Sequence, residues 1–180
     1  MFIFDQQITK HYKSDQMPTY YKTILTLLLT VSICLLHLNT DAQSLSLPEI
    51  NITQANGEKF TTQQIPTGKA IALIYFSPEC EHCQSFMKSF FKEVAKFKDI
   101  FVLMITYLPL DRVVKFSEEY PVADYPNIVA GTEGMAFLVR DHFKIDNIPF
   151  LATYDKVGKL ISTYDGNPSI EKLKKDLNIE

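Results

Sequence analysis

Two unbroken apolar runs, "AIALIYFS" at residues 70–77 and "IFVLMITY" at 100–107, dominate the hydropathy pattern of the chain. Both are rich in β-branched and aromatic residues and show no polar alternation, as expected of strands buried on both faces. Between them Phe86, Phe90, Val94 and Phe97 recur at three- and four-residue steps. That spacing predicts a helix from about Cys80 to Phe97 with one apolar face. Strand, helix and strand in this order call for a parallel pair joined by a right-handed crossover.

The remaining pattern fills in around this unit. "SLPEINITQANGEKFTT" places Asn56-Gly57 between two short β-prone runs and predicts an N-terminal hairpin. "RVVKFSEEY" predicts a helix ended by Pro121, "YPNIVAG" a short strand, and "EGMAFLVRDHF" a helix over 133–143. "NIPFLATYDKVGKLISTYDG" reads as antiparallel strands 149–154 and 159–164 joined by a tight turn at Lys156–Lys159. "SIEKLKKDL" is an amphipathic closing helix, capped by Ser169 or Asn167 and supported by a Glu171–Lys175 pair. The predicted fold class is α/β: a mixed central sheet flanked by helices on both faces, with an N-terminal β-hairpin.

Ahead of this domain lies "TILTLLLTVSICLLHL", residues 23–38, apolar and without a charge. It is shorter than the roughly 20 apolar residues of a membrane span. Lys22 precedes it, and Thr40 and Ala42 stand where a cleavage site has small residues. This is the layout of a secretory signal peptide cleaved after Ala42, dividing the chain into an N-terminal lead at 1–42 and a domain at 43–180. An uncleaved membrane anchor through 23–38 is the alternative. A lipid anchor on Cys34 is disfavoured by bulky Ile33 directly before it. "MFIFDQQITKHYKSDQ" delays the apolar core, and Met17 gives a tidier start for an export signal.

Composition narrows the function. Apolar residues make up 46% and charged residues 22% of the 180, the balance of an ordinary globular protein. The net charge is −3, and no Lys/Arg cluster stands out, so the footprint of a nucleic-acid binder is missing. The cysteines are Cys34, Cys80 and Cys83. Loss of the signal leaves two, in a compartment where a stray thiol is a liability. A CxxC loop is too short to stabilise the fold much by closing it. The pair therefore reads as a reactive dithiol.

Cys80 falls where a central strand meets its helix, at the carboxyl edge of the sheet where open α/β folds keep their sites. Free backbone N–H groups and the positive end of the helix dipole favour a thiolate there. Cys83, one turn on, lies deeper. Cys80 is expected to attack and Cys83 to resolve the mixed disulfide. His82 beside the thiolate stabilises the reduced form and tunes the pair toward an oxidant, or is simply a surface residue at the helix start. Glu81 acts against it, or simply complements the helix dipole as a solvated acid.

"YFSPECEHCQ", followed by "NIPFLATYDKVGKL", resembles the thioredoxin superfamily, and more narrowly the exported TlpA/ResA-like (redoxin-type) thiol–disulfide oxidoreductases. The likeness runs from "LPEINITQANGEKFTT" to the last helix. It implies a cis Pro149 beside the sulfurs and an Ile148 backbone that pairs with a substrate chain. It implies an exposed patch of Phe76, Pro78, Ile148 and Phe150 that receives the partner. It also implies protein thiols or disulfides as substrates, a membrane or soluble redox partner, a monomeric state, and no cofactor beyond the Cys80–Cys83 disulfide.

Two positions depart from the family. Thioredoxin has a buried Asp six residues before its first cysteine, where Ile74 stands here. ResA-like proteins have a Glu three residues after the second, where Phe86 stands. Neither Glu79 nor Glu93 can be promoted to base for Cys83 on sequence alone. Three rival readings compete: a copper or other soft-metal carrier using Cys80 and Cys83, a peroxiredoxin-type peroxidase, and an exported adaptor with an incidental dithiol. The metal reading lacks the second ligand pair of a structural zinc site. The peroxidase reading lacks a Thr-x-x-Cys arrangement.

Overall fold

The computed structural model describes residues 46–166 and 168–180, together with Tyr20, Thr23, Ile24, Leu27 and Leu28. Those five isolated positions are helical and exposed. The expected cleavage after Ala42, Cys34, the Met17 start and the Asn167 cap lie outside the described residues, as does most of the 23–38 run of the expected signal peptide or alternative anchor. Among the described residues no helix is long and apolar enough to cross a membrane.

Residues Gln43–Glu180 form one compact unit. Its strands are β1 (Asn51–Gln54), β2 (Lys59–Thr61), β3 (Ile71–Tyr75), β4 (Phe101–Thr106), β5 (Ile128–Thr132), β6 (Phe150–Tyr154) and β7 (Leu160–Tyr164). Its helices are α1 (Glu81–Lys92), α2 (Leu110–Glu119), α3 (Leu138–Phe143) and α4 (Ile170–Asp176). The strands form a single sheet in the order β2-β1-β5-β4-β3-β6-β7. β3, β4 and β5 run parallel, while β1 lies antiparallel to β5 and to β2, and β6 antiparallel to β3 and to β7.

Every residue of β3, β4 and β6 is buried, which explains their uninterrupted apolar sequence. Side chains alternate between the two sides of the sheet. Ala72, Ile74, Val102, Met104 and Leu151 face a core with Phe86, Met87 and Phe90 of α1, Phe116 of α2, and Ile170 and Leu173 of α4. Leu73, Tyr75, Leu103, Ile105 and Ala152 face a second core with Val139 of α3 and with Ile50, Ile52 and Phe60 from around the hairpin. The predicted mixed sheet with helices on both faces is what the chain adopts. At the hairpin turn Gly57 takes φ +85°, a left-handed conformation glycine adopts without steric cost, and its N–H reaches Gln54 O at 2.9 Å.

Several predicted elements differ in detail. The helix expected over 80–97 breaks at Glu93, where φ −114° and ψ 12° leave the helical region, and continues as a 3-10 turn at Val94–Phe97. Phe97 still reaches the core, and Asn127 Nδ2 donates to the carbonyls of Phe97 and Ile100 at 2.9 and 2.8 Å. The helix expected over 133–143 splits into a 3-10 turn at Gly134–Ala136 and α3, with Phe137 left-handed between them. Glu133 causes the split. It folds its carboxylate inward to accept from Val139 N at 2.8 Å, which starts α3 afresh. On α4 Ser169 caps as predicted, accepting from Lys172 N at 3.3 Å, but Glu171 pairs with Lys174 rather than Lys175. Lys174 wins because its ammonium also reaches Glu93 at 3.1 Å, across to α1.

Candidate active site

β3 delivers the chain to the site at Tyr75. Phe76 turns inward, its N–H donating to Ile105 O at 2.9 Å, and Ser77 begins a turn closed by Cys80 N donating to Ser77 O at 3.1 Å. Ser77 Oγ accepts from Glu79 N at 3.2 Å, and Gln84 Nε2 reaches back from α1 to Pro78 O at 2.8 Å. The loop is thus tied to both the strand behind it and the helix ahead. Cys80 is the N-cap of α1, with extended φ −89° and ψ 124°, and its carbonyl accepts the first helical bond from Gln84 N at 2.9 Å. A cysteine here brings no capping oxygen, so its sulfur is left beside the amino end of the helix without a capping bond.

Both cysteines are free thiols. Cys80 is half-buried, whereas Cys83 is wholly inaccessible, packed with Phe86, Met87 and Ile74. Burial, first of all, pushes the Cys83 thiol up to about 12, and the hydrogen bond it shares with Cys80 adds to this. A backbone hydrogen bond at Ser77 works in the opposite direction. Cys83 is therefore a neutral thiol at ordinary pH, held against its neighbour's sulfur.

Glu81 and His82 are exposed on the first turn of α1. His82 lines a cleft of about 420 Å³ with Ser85, Pro149, Ser169 and Glu171. The Ile148-Pro149 peptide bond is cis, as the resemblance implied. The expected exposed patch needs correction. Phe76 is 2% exposed and packs at a tilt against Phe116 at 4.8 Å; Phe150 is 4% exposed and packs on Phe143 at 4.9 Å. Both belong to the core because they bracket the ends of fully buried strands. Pro78 and Ile148 are half-buried, and Pro149 is buried where it lines the cleft.

The acids flagged as uncertain bases are engaged elsewhere. Glu79 is exposed and pairs with Arg112 at 3.0 Å. Glu93 pairs with Lys96 and Lys174, which hold its carboxyl below the usual range. It lies ten residues beyond Cys83, roughly 15 Å along a helix axis. Ile74 and Phe86, the two departures from the expected pattern, are buried apolar wall.

Two features escaped the sequence. Glu133 is a buried carboxylate held by Tyr75 Oη at 2.6 Å as well as by Val139 N. Tyr120, which read only as the end of a helix, shares a small cavity with Cys83. Neither carries a local signal, since both depend on contacts between distant segments. Among the described residues no group of three or more His, Cys, Asp or Glu side chains is placed to hold a metal ion.

No family model and no curated protein matches the sequence. Solved structures do resemble it. One is the exposed lipoprotein thioredoxin Etrx1 of Streptococcus pneumoniae, with a TM-score of 0.56 and 18% identity over 72% of this chain and 98% of that one. Another is a secreted Mycobacterium tuberculosis disulfide oxidoreductase homologous to E. coli DsbE, with a TM-score of 0.60 and 15% identity over 76% of this chain and 98% of that one. A third is StoA of Bacillus subtilis, with a TM-score of 0.52 and 15% identity over 73% of this chain and 98% of that one. With its sheet order, its CxxC at the strand-to-helix junction and its cis proline before β6, the domain has the thioredoxin fold.

Proposed function

We propose that the protein is a thiol–disulfide oxidoreductase that exchanges disulfides with exported proteins through Cys80 and Cys83. One observation carries this reading: a half-exposed cysteine caps α1 while a second, one turn along, is buried and hydrogen-bonded to it. Acting as a reductant, the Cys80 thiolate attacks a substrate disulfide, forms one new S–S bond and expels one substrate thiolate. Cys83 then loses its proton and attacks the Cys80 sulfur. The second substrate thiolate leaves, and the Cys80–Cys83 disulfide forms; a dithiol donor must reduce it before the next cycle. Run backward, the same steps oxidise a substrate dithiol.

The division of labour follows from access. An incoming disulfide reaches Cys80 but not Cys83. Half-buried Pro78 and Ile148 would supply the apolar rim, and exposed His82, next to Cys83 in sequence, lines a cleft together with Pro149. Export is supported by the apolar, charge-free run at 23–38 and by the "exposed lipoprotein" and "secreted" descriptions of two structural neighbours.

Trapping tests the reading. Cys83→Ser should accumulate a mixed disulfide between Cys80 and a protein substrate, seen as a mass adduct removed by reductant, whereas Cys80→Ser should trap none. Equal adducts on both variants, or none on either, would refute it. The reduction potential assigns the direction: near −270 mV the protein is a thioredoxin-like reductant, near −120 mV an oxidant.

A further inference from the structure

The resolving thiol has no acid where thioredoxin or its ResA-like relatives place one, yet it must give up a proton. The side chains around Cys83 narrow where that proton can go. Cys83 lines a cavity of about 10 Å³, which shares no lining residue with the cleft of His82 and Pro149 and has room for about one water molecule. Its walls include Ser77 and Pro78 from the loop, Cys83 and Gln84 from α1, and Glu119 and Tyr120 from the end of α2. Tyr120 is 8% exposed, and its hydroxyl oxygen is fully buried with no hydrogen-bond partner among the described residues. A buried hydroxyl left without a partner is costly, and such groups in native structures are commonly satisfied by water. Glu119, next in sequence, is exposed and so in contact with bulk solvent.

We infer that this cavity is the proton exit of the resolving step: a water bridges the Cys83 sulfur to the Tyr120 hydroxyl, and Glu119 receives the proton at the surface. The inference rests on the proposed dithiol exchange. When Cys83 attacks the Cys80 sulfur of a mixed disulfide, the Cys83–Cys80 bond forms and the bond from Cys80 to the substrate sulfur breaks. The electron pair leaves on the substrate thiolate, and the Cys83 proton passes through water and Tyr120 to the Glu119 carboxylate, which returns it to solvent. Tyr120 is a positioning residue that donates as it accepts. Burial, followed by the charge of Glu119 and a side-chain interaction with that carboxylate short of a well-formed hydrogen bond, holds the phenol above the ordinary range and so neutral, as a relay requires.

The other ionisable groups around the cavity do not compete. Cys80 is occupied in the mixed disulfide. Glu79 of the loop is turned to Arg112 of α2 at 3.0 Å. β3 contributes only the apolar side chains of Ala72 and Ile74 to the core around Cys83.

Reaction of the reduced protein with 5,5′-dithiobis(2-nitrobenzoate) separates the two steps, because one thionitrobenzoate is released when Cys80 attacks and a second when Cys83 resolves. Glu119→Gln and Tyr120→Phe should leave the first release unchanged. Each should slow the second by on the order of tenfold to a hundredfold near neutral pH, with the gap closing as pH rises and hydroxide takes the proton. Glu119 is exposed, so its variant keeps the fold even if Tyr120→Phe disturbs packing. A second release at wild-type speed across the pH range in either variant would overturn the relay. Loss of the first release in the unmodified protein would instead overturn the oxidoreductase reading itself.

Discussion

Tyr75 donates its phenolic proton to the Glu133 carboxylate at 2.6 Å, joining residues 58 positions apart in the second core of the sheet. Tyr75 ends the strand that delivers the CxxC loop, and Glu133 starts α3 through Val139 N. Tyr75→Phe removes one of the two bonds of a buried carboxylate and should cost about 1–3 kcal/mol in denaturant unfolding with an unchanged m-value. Glu133→Gln keeps an acceptor and should cost less. A double-mutant cycle should show coupling between the two sites, since they share a hydrogen bond.

Phe90 joins α1 to the sheet. It is fully buried, with ring centroids 4.9 Å from Phe97 and 5.4 Å from Phe91. Truncation to Ala should cost about 3–5 kcal/mol, read as a lower unfolding midpoint. The helix amino end that holds Cys80 depends on this anchor, so at temperatures near the lowered midpoint the variant should also lose selective reactivity of Cys80 over Cys83.

Asn127 fastens the chain after α1 by bonding two carbonyls at once, those of Phe97 and Ile100. Asn127→Ala leaves both without that donor, and a loss of about 1–3 kcal/mol is expected from equilibrium unfolding. Exchange protection should fall first around the turn at Val94–Phe97.

Cys83 makes the reduced protein sensitive to alkali. Its thiol sits at about 12 in the fold against an ordinary 9.0, so the folded state holds the proton more tightly than the unfolded state. The stabilisation is complete below about 9 and is lost as pH rises toward about 12. Over that interval each pH unit should remove up to ~1.4 kcal/mol. Buried tyrosines such as Tyr154 add an alkaline loss of their own. The diagnostic quantity is therefore the difference between the reduced and oxidised proteins, which should change with the slope set by Cys83 because only the reduced form carries that proton.

The sequence was informative where periodicity is local. Uniformly apolar strands announced β3 and β4, the Asn56-Gly57 pair announced the first hairpin, and Cys80-x-x-Cys83 after a buried strand announced the site. It was less informative where a tertiary contact overrides propensity. Glu133 belonged to a plausible helix until its carboxylate was claimed by Tyr75 and Val139. The likeness put Phe76 and Phe150 in an exposed docking patch, yet each continues the pleat of a strand buried on both faces. The Tyr120 cavity depends on how the end of α2 packs against the loop before Cys80, and no spacing in the chain encodes that.

The most direct measurement of the central claim is alkylation of the native reduced protein at neutral pH, with each cysteine followed by peptide mass spectrometry. Cys80 should be modified first and faster than free glutathione, while Cys83 remains protected until the protein unfolds. Modification of Cys83 at a rate equal to or greater than that of Cys80, or a Cys80 no more reactive than glutathione, would contradict the account.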